Sequence, residues 1–198
     1  MAASDEPDIS ELRVVGLPPL PEVVAGDDLA AMIGDSIEQS GLGLQADDVL
    51  VVTHKVVSKA EGRLVALSDF EPSDLAGRFA RRFGKDPRQV EAALRESARI
   101  VRMDRGVLIS ETPHGFICAN AGVDASNAAD AMVCLLPLDP DRSAGDVRQK
   151  LERRFGVAPA VIVSDSFGRP WRNGIVNVAI GVAGLAPLAD YRGLQDPA

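Results

Sequence analysis

Two oxygen-bearing side chains, Asp165 and Ser166, follow the apolar run Val161–Val163, from which Ser164 alone separates them. A carboxylate beside a hydroxyl at the end of a strand offers the oxygen ligands that Mg²⁺ and Mn²⁺ prefer, with open positions left for phosphate. The alternative is a cap at a strand-to-turn junction, which is the commoner use of such a dipeptide taken alone. The pair therefore points to a hard-cation site, with the cap as its alternative.

The next residues form a cluster of hydrogen-bond donors, in which Arg169, Arg172 and Asn173 are held between glycines and a proline. Guanidinium groups bind phosphate and carboxylate through paired hydrogen bonds, and a constrained loop fixes their direction. The alternative is a solvated turn with Trp171, the only tryptophan, covering the core. We predict that the cluster positions substrate and phosphate.

A second polar cluster follows the apolar run Phe116–Ala119, with Asp124 and Asn127 as its chemically useful members. Asp124 offers another metal ligand, and the Asn127 amide can both donate to and accept from a nucleotide. The same residue types also form an ordinary helix cap, which stays open as an alternative.

A third cluster surrounds Lys55 and Lys59, two of the four lysines in the chain. A lysine ammonium suits a β- or γ-phosphate, and two solvated surface charges are the alternative. His54 and His114 are the only histidines, and neither is expected to act as a general base.

The elements that must position these clusters are strands and helices mixed without strict alternation, which predicts an α+β or mixed α/β fold. A helix should begin after Asp27 or Asp28 and end at Gly41 or Gly43. Further helices are expected over 72–83, over 87–98 and from Ser143 to the stop at Gly156, whereas 104–106 and 139–141 should form hairpin or loop turns. Strands are expected at 12–15, 49–53 (buried), 100–103, 107–110, 116–119, 159–165 and 175–184, while 131–136 could be either strand or short helix.

Composition narrows the function classes. The 198 residues suffice for one domain or two small lobes, and the formal net charge of −8 excludes a general nucleic-acid binder.

Cys118 and Cys134 lie in apolar runs without Cys-x-x-Cys spacing, so we expect buried thiols rather than disulfide or metal ligands. With an acidic start and no long apolar stretch, the chain is expected to be soluble and cytoplasmic, with no membrane or nucleic-acid partner.

Two possible nucleotide-binding signatures in the sequence do not meet the requirements of such sites. The stretch Gly41–Ala46 formally matches G-x-G-x-x-A, but it follows a predicted helix and precedes a predicted strand, the reverse of a dinucleotide site. Gly84-Lys85 lacks the glycine spacing of a P-loop.

Four segments in order, GLPPLPEVVAGDDL, VVTHKVVSKAEGRLV, NAGVDASN and SDSFGRPWRNG, resemble the coenzyme F420-0:γ-glutamyl ligase family. The resemblance runs from about residue 12 to the end, with residues 1–11 as a disordered tail. It implies a mixed α/β fold of two intimately associated lobes in an intertwined homodimer. It also implies GTP-dependent attachment of L-glutamate to the carboxylate of coenzyme F420-0, with Mn²⁺ or Mg²⁺ at two sites and K⁺ as a further cation.

The resemblance also carries residue roles. Asp124 and Asp165 would share one metal, and Ser166 would hold a second. The residues assigned to the guanine nucleotide are Leu20, Pro21, Glu22, Val23, His54, Lys59 and Asn127. His54 stands where relatives carry a small hydroxyl or amide residue. Relatives also continue past the equivalent of Asp196-Pro197 into an Ala-Asp-Glu segment, which the resemblance predicts this chain to lack.

Two other functions stay open beside the ligase. The chain could hold nucleotide or the deazaflavin tail without turnover, or the same metal ligands could activate water in a phosphohydrolase.

In the ligase reaction, the coenzyme carboxylate would attack the γ-phosphate to give an acyl phosphate, and the amine of glutamate would then displace phosphate. Catalysis would rest on positioning and charge stabilisation, without a covalent enzyme intermediate.

Overall fold

Five α-helices and three small β-sheets make up the described residues, 12–125, 131–168 and 173–193, of this computed structural model. The helices are α1 Leu29–Ser40, α2 His54–Ala60, α3 Asp74–Phe83, α4 Pro87–Arg95 and α5 Pro140–Phe155. The strands are β1 Val49–Thr53, β2 Leu64–Ala66, β3 Arg99–Asp104, β4 Val107–Glu111, β5 Ile117–Ala119, β6 Met132–Cys134, β7 Ala160–Gly168 and β8 Ile175–Ala183. The mixed composition confirms the predicted α+β class.

The helix ends follow from local capping chemistry. The side chain of Asp28 accepts a hydrogen bond from the Ala31 amide at the start of α1, and Gly41 ends that helix in the left-handed conformation. Ser73 and Asp86 cap α3 and α4 in the same way. The helices predicted after Asp28, over 72–83 and over 87–98 are thus confirmed, with their ends set by these caps.

The sheet that matters most for the site has the order β1-β7-β8. β1 and β7 are parallel, in a register that runs from Val49 opposite Ala160 to Thr53 opposite Ser164. β7 and β8 are antiparallel, with Ser166 opposite Asn177. The strand predicted over 49–53 is confirmed, but its predicted burial is wrong, since Val49 and Val51 are more than half exposed. Because successive side chains of a strand point to opposite faces of the sheet, only the alternate ones of β1, such as Val52, face the helices.

The main core lies between this sheet and helices α1, α2 and α5. Gly181 of β8 lies so close to the Pro140 carbonyl that any side chain at this position would collide with the backbone of α5. The contact is reinforced where the amide of Val182 donates to the Asp141 carboxylate at 2.7 Å. The start of α5 is therefore fixed directly on β8.

The other two sheets are antiparallel. β2 pairs with β6, while β3, β4 and β5 form a meander whose first turn is Arg105-Gly106. Both turn residues have positive φ, 50° and 76°, as a two-residue hairpin turn of this kind requires, which confirms the turn predicted there. Of the two alternatives for 131–136, the structure has the strand.

Two further sequence expectations are wrong. Residues 12–15 form no strand: Leu12 and Val14 are 88% and 86% exposed, and no ladder pairs with them. The predicted turn at 139–141 is the beginning of α5, with Asp139 as the N-cap and Pro140 in the first turn, where its missing amide costs nothing. This helix therefore begins three residues before Ser143.

The remaining predictions concern the two cysteines, membrane-spanning segments and the N-terminal tail. Cys118 and Cys134 are buried, as predicted, and are not joined in a disulfide; burial raises the pKa of the Cys134 thiol. In the part of the chain that the structure describes, no helix is both long enough and apolar enough to cross a membrane. The predicted disordered tail, residues 1–11, lies outside the described residues.

Candidate active site

A cleft of about 1730 Å³ opens between the β1-β7-β8 sheet and the β3-β4-β5 sheet. Five residues singled out from the sequence share its wall, although they come from four separate stretches of the chain: Glu22, Lys59, Asp124, Asp165 and Ser166. Lys55, from the lysine cluster, also lines it. The cleft therefore collects carboxylates, ammonium groups and a hydroxyl at one place.

Asp165 and Ser166 lie on β7, just beyond the point where its parallel partner β1 ends at Thr53. The Ser166 amide donates to Oδ1 of Asp165 at 2.7 Å, and the Ser166 hydroxyl donates to Oδ1 of Asn177 on β8 at 2.7 Å. Both side chains are thus oriented by backbone and neighbouring strand. Here β7 continues beyond these residues to Gly168, so they are not the strand-to-turn cap that was the alternative.

Asp124 follows a tight turn in the left-handed conformation, with φ values of 51°, 52° and 74° at Asn120, Ala121 and Gly122. Such φ values are unfavourable for residues with a Cβ, so surrounding contacts must hold the turn. Asp124 itself exchanges two backbone hydrogen bonds with Cys134, of 3.0 and 2.7 Å. The turn and this bridge together fix where its carboxylate enters the cleft.

The junction between β1 and α2 supplies a partner to each of the two aspartates. Nε2 of His54 lies 3.2 Å from Oδ1 of Asp165, and Nζ of Lys55 lies 2.5 Å from Oδ2 of Asp124. Because α2 starts directly after β1, these neighbouring side chains diverge toward different carboxylates. His54 is only 1% exposed and lies behind the cleft wall, so its predicted contact with nucleotide stays a prediction.

The segment assigned to the nucleotide, residues 20–23, reaches the cleft through Glu22. Nζ of Lys59 lies 2.5 Å from Oε1 of Glu22, with the lysine mostly buried and the glutamate exposed. Val23 packs in the main core, and Leu20 lies at its edge. The segment is anchored where the Ser36 hydroxyl donates to the Pro18 carbonyl at 2.7 Å.

The donor set suits a hard divalent cation. Two carboxylates and a hydroxyl face one cleft, and Mg²⁺ is typically held by one or two carboxylates together with water and substrate phosphate rather than by a full protein cage. Within the described residues no three or more His, Cys, Asp or Glu side chains lie together as a metal-binding cluster, so the fit rests on the two carboxylates and the hydroxyl alone. Asp124, Asp165 and Ser166 therefore fit the predicted role.

Three predicted residues, Arg169, Arg172 and Asn127, lie outside the described residues, so their roles stay predictions. Asn173 is described, and it is exposed at a bend just before β8. The donor cluster as a whole is therefore located only by β7 and β8, the two strands that flank it.

Three polar residues are among those that line the cleft and that sequence reasoning missed. Asn177 is found only through the β7–β8 register, which places it opposite Ser166. Arg102 and Arg105 bring positive charge from the β3–β4 hairpin to the opposite wall, where both pair with Asp104. The hairpin turn was predictable, but its approach to β7 depends on long-range packing.

Comparison with known proteins gives a consistent result. The model of the family described as F420-0:Gamma-glutamyl ligase matches residues 19–198. The coenzyme F420:L-glutamate ligase of Methanopyrus kandleri is 49% identical over 185 residues, covering 93% of this chain and 71% of that protein. The protein of the same name from Methanothermobacter thermautotrophicus is 45% identical, covering 93% of this chain and 73% of its own length. The one from Archaeoglobus fulgidus is 40% identical over 177 residues, covering 89% and 69%.

Proposed function

The chain belongs to the F420-0:gamma-glutamyl ligase family, and on that premise we propose that it joins L-glutamate by an amide bond to the carboxylate of coenzyme F420-0. The observation that carries the proposal is the similarity, over 93% of the chain, to two proteins named coenzyme F420:L-glutamate ligase. The cleft supports it because a carboxylate-activating ligase needs cations and oxygen ligands around a polyphosphate, and both are present there.

GTP is proposed as the phosphoryl donor. Lys55 and Lys59 bring two ammonium groups to the cleft wall, and an ammonium is a compact point charge suited to β- and γ-phosphate oxygens. With a net charge of −8 the protein has no general attraction for a polyanion, so these local charges matter for binding. The other residues proposed to contact the nucleotide are Leu20, Pro21, Glu22, Val23 and Asn127.

Mn²⁺ or Mg²⁺ is proposed as the cofactor, with Asp124 and Asp165 sharing one ion and Ser166 holding a second. When bound, such an ion neutralises charge on the transferred phosphoryl group. The protein's part is to hold the two carboxylates apart at fixed positions, Asp165 on β7 and Asp124 beside Cys134. The hydrogen bond to Asn177 on β8 orients the Ser166 hydroxyl.

The reaction is proposed to run in two displacements. A carboxylate oxygen of F420-0 attacks the γ-phosphorus of GTP. The bond between the γ-phosphorus and the β,γ-bridging oxygen breaks, so that GDP leaves and an acyl phosphate of F420-0 is formed. The amine of glutamate then attacks the acyl carbon, phosphate leaves, and the amine loses a proton to solvent. Arg169, Arg172 and Asn173 are proposed to position the phosphate and substrate, so catalysis rests on alignment and charge stabilisation.

A homodimer acting in the cytoplasm, with K⁺ as a further cation, completes the proposal. Dimerisation is supported by apolar side chains that remain exposed on two sheets, since contiguous exposed apolar surface often marks an interface. The side chains concerned, none of which lines the cleft, are Val49, Val51, Ile100 and Ile175.

The proposed function is tested by measuring GDP and phosphate release from GTP with Mn²⁺, omitting F420-0 and glutamate in turn. A ligase releases GDP only when the acceptor F420-0 is present, and sustained release needs glutamate. Release that needs neither would identify a phosphohydrolase, and tight GDP binding without any release would identify a nucleotide-binding protein. Asp165→Asn should abolish release, while Asp69→Asn, on an exposed turn away from the cleft, should leave it unchanged.

A further inference from the structure

His54 is a buried polar side chain whose ring contacts a residue of the cleft wall. It is 1% exposed, and its Nε2 lies 3.2 Å from Oδ1 of Asp165. A buried polar atom without a hydrogen-bond partner costs free energy, so Nε2 of His54 needs a partner. The contact also restricts the orientation of the Asp165 carboxylate. The residue is the first of α2 and does not itself line the cleft.

The direction of the hydrogen bond follows from the chemistry of the partners. An ionised carboxylate can only accept, so Nε2 of His54 must carry the hydrogen. Nδ1 is then the acceptor, and the fully buried Ser58 hydroxyl lies 3.5 Å from it, one turn further along α2. The ring is thus placed between a donor on its own helix and an acceptor on β7.

The backbone fixes this arrangement. Thr53 and Ser164 are paired in the parallel ladder, and His54 and Asp165 are the residues that follow them in the sequence. The Ser166 amide also donates to Oδ1 of Asp165, so two donors hold the same oxygen. Asp165 keeps an exposed fraction of 15% on the cleft wall, through which a ligand can reach its carboxylate.

We propose that His54 is a positioning residue that orients the Asp165 carboxylate for the divalent cation, without touching nucleotide or substrate. The inference rests on the proposed function, because it takes Asp165 as a metal ligand. Outer hydrogen-bond partners of metal ligands set the direction of the ligand atoms, and losing one typically weakens metal affinity about 10- to 100-fold. In this chain the buried imidazole of His54 is the outer hydrogen-bond partner of Asp165.

The test is titration of Mn²⁺ into the nucleotide-free protein by calorimetry, which does not depend on turnover. His54→Asn has a side chain too short to reach Asp165, whereas His54→Gln carries an amide donor near the position of Nε2. We expect the Kd for Mn²⁺ to rise about 10- to 100-fold in His54→Asn and to stay within about threefold of wild type in His54→Gln. His114→Asn, the same change at the other histidine, should leave the Kd unchanged.

Turnover gives a second readout. In His54→Asn the Mn²⁺ concentration at half-maximal rate should rise, while kcat at saturating Mn²⁺ should fall much less, as expected when binding alone is weakened. If His54→Asn fails to fold, His54→Leu fills the same buried space with apolar atoms and carries the same prediction.

The outcomes separate this inference from the proposed function. A wild-type Kd in His54→Asn, with Asp165→Asn clearly weakened, overturns the positioning role and leaves the metal site standing. Equal weakening in His54→Gln and His54→Asn also overturns it, because the amide donor would then have no effect. If Asp165→Asn binds Mn²⁺ as wild type does, the metal site itself is wrong and the inference falls with it.

Discussion

Nζ of Lys55 lies 2.5 Å from Oδ2 of Asp124, so the residue after His54 holds the second carboxylate of the proposed metal site. Two consecutive residues at the β1–α2 junction thus engage two aspartates that are far apart in the sequence. The two contacts differ in kind. His54 is buried behind Asp165, whereas Lys55 reaches Asp124 within the cleft, where an incoming cation would compete with its ammonium.

Lys55→Met should therefore change two affinities in opposite directions. Removing a positive charge next to Asp124 should tighten Mn²⁺ binding to the nucleotide-free protein, because like charges no longer compete for one carboxylate. The same change should weaken GTP binding, because the cleft loses an ammonium group. Both affinities can be measured by calorimetry.

Lys85→Met is the matched control, since Lys85 is exposed after α3 and does not line the cleft. It should alter neither affinity. Weaker Mn²⁺ binding in Lys55→Met would contradict the competition between Lys55 and the metal.

Gly122→Ala should destabilise the fold and disturb Asp124, two residues away. Gly122 has a φ of +74°, and a Cβ there would come within 2.7 Å of the Leu136 side chain. Left-handed strain and overpacking together should lower the free energy of unfolding by about 1–3 kcal/mol. The measurement is urea unfolding, followed by Mn²⁺ titration of the folded variant, in which affinity should also fall.

Gly43→Ala provides the comparison, because nothing lies within 4 Å of a Cβ at that position. It should change stability by less than about 0.5 kcal/mol. Equal effects of the two substitutions would show that the turn before Asp124 is not strained in the way described.

Asp86→Ala should cost stability in a pH-dependent manner. Hydrogen bonds from the Arg88 side chain hold the pKa of Asp86 below its usual value of 3.8, aided by the Arg88 amide. A carboxyl group whose pKa is lowered by folding stabilises the protein above its unfolded pKa, and this stabilisation is lost as pH falls through the folded value. Asp86→Ala should therefore cost about 1 kcal/mol at pH 7, as expected for a lost N-cap.

The measurement is the stability difference between wild type and Asp86→Ala as a function of pH. It should be constant from pH 7 down to about pH 5 and shrink below the usual aspartate pKa of 3.8. Asp47→Ala, in the exposed turn before β1, should show a difference below about 0.5 kcal/mol at pH 7. A difference for Asp86→Ala that grows as the pH falls would contradict the assigned sign.

Local chemistry made much of the fold predictable. Asp28 and Gly41 bound α1 in the sequence as they do in the structure, and the run 49–53 is the whole of β1. Two errors have different causes. The pair Asp139-Pro140 fits both a turn and a helix start, and the structure has the helix start. The apolar residues Leu12 and Val14 fit a strand locally, but no strand of the described residues pairs with them.

The site was predictable only in its residue types. Asp165 and Ser166 stood out because they follow an apolar run, but nothing local indicates that β1 pairs in parallel with β7. That pairing brings His54 to Asp165, and the β7–β8 register brings Asn177 to Ser166. Contacts of this kind depend on long-range packing, so they become visible only in the fold.

The most direct test of the proposed ligase activity is mass spectrometry of the coenzyme after incubation of the protein with F420-0, L-glutamate, GTP and Mn²⁺. The account predicts that F420-0 is converted to a product heavier by one glutamyl unit, that omission of GTP abolishes this product, and that Asp165→Asn does not form it. With F420-0 labelled by ¹⁸O in its carboxylate, one labelled oxygen should appear in the released phosphate. Unchanged F420-0 in the presence of GTP hydrolysis would contradict the account.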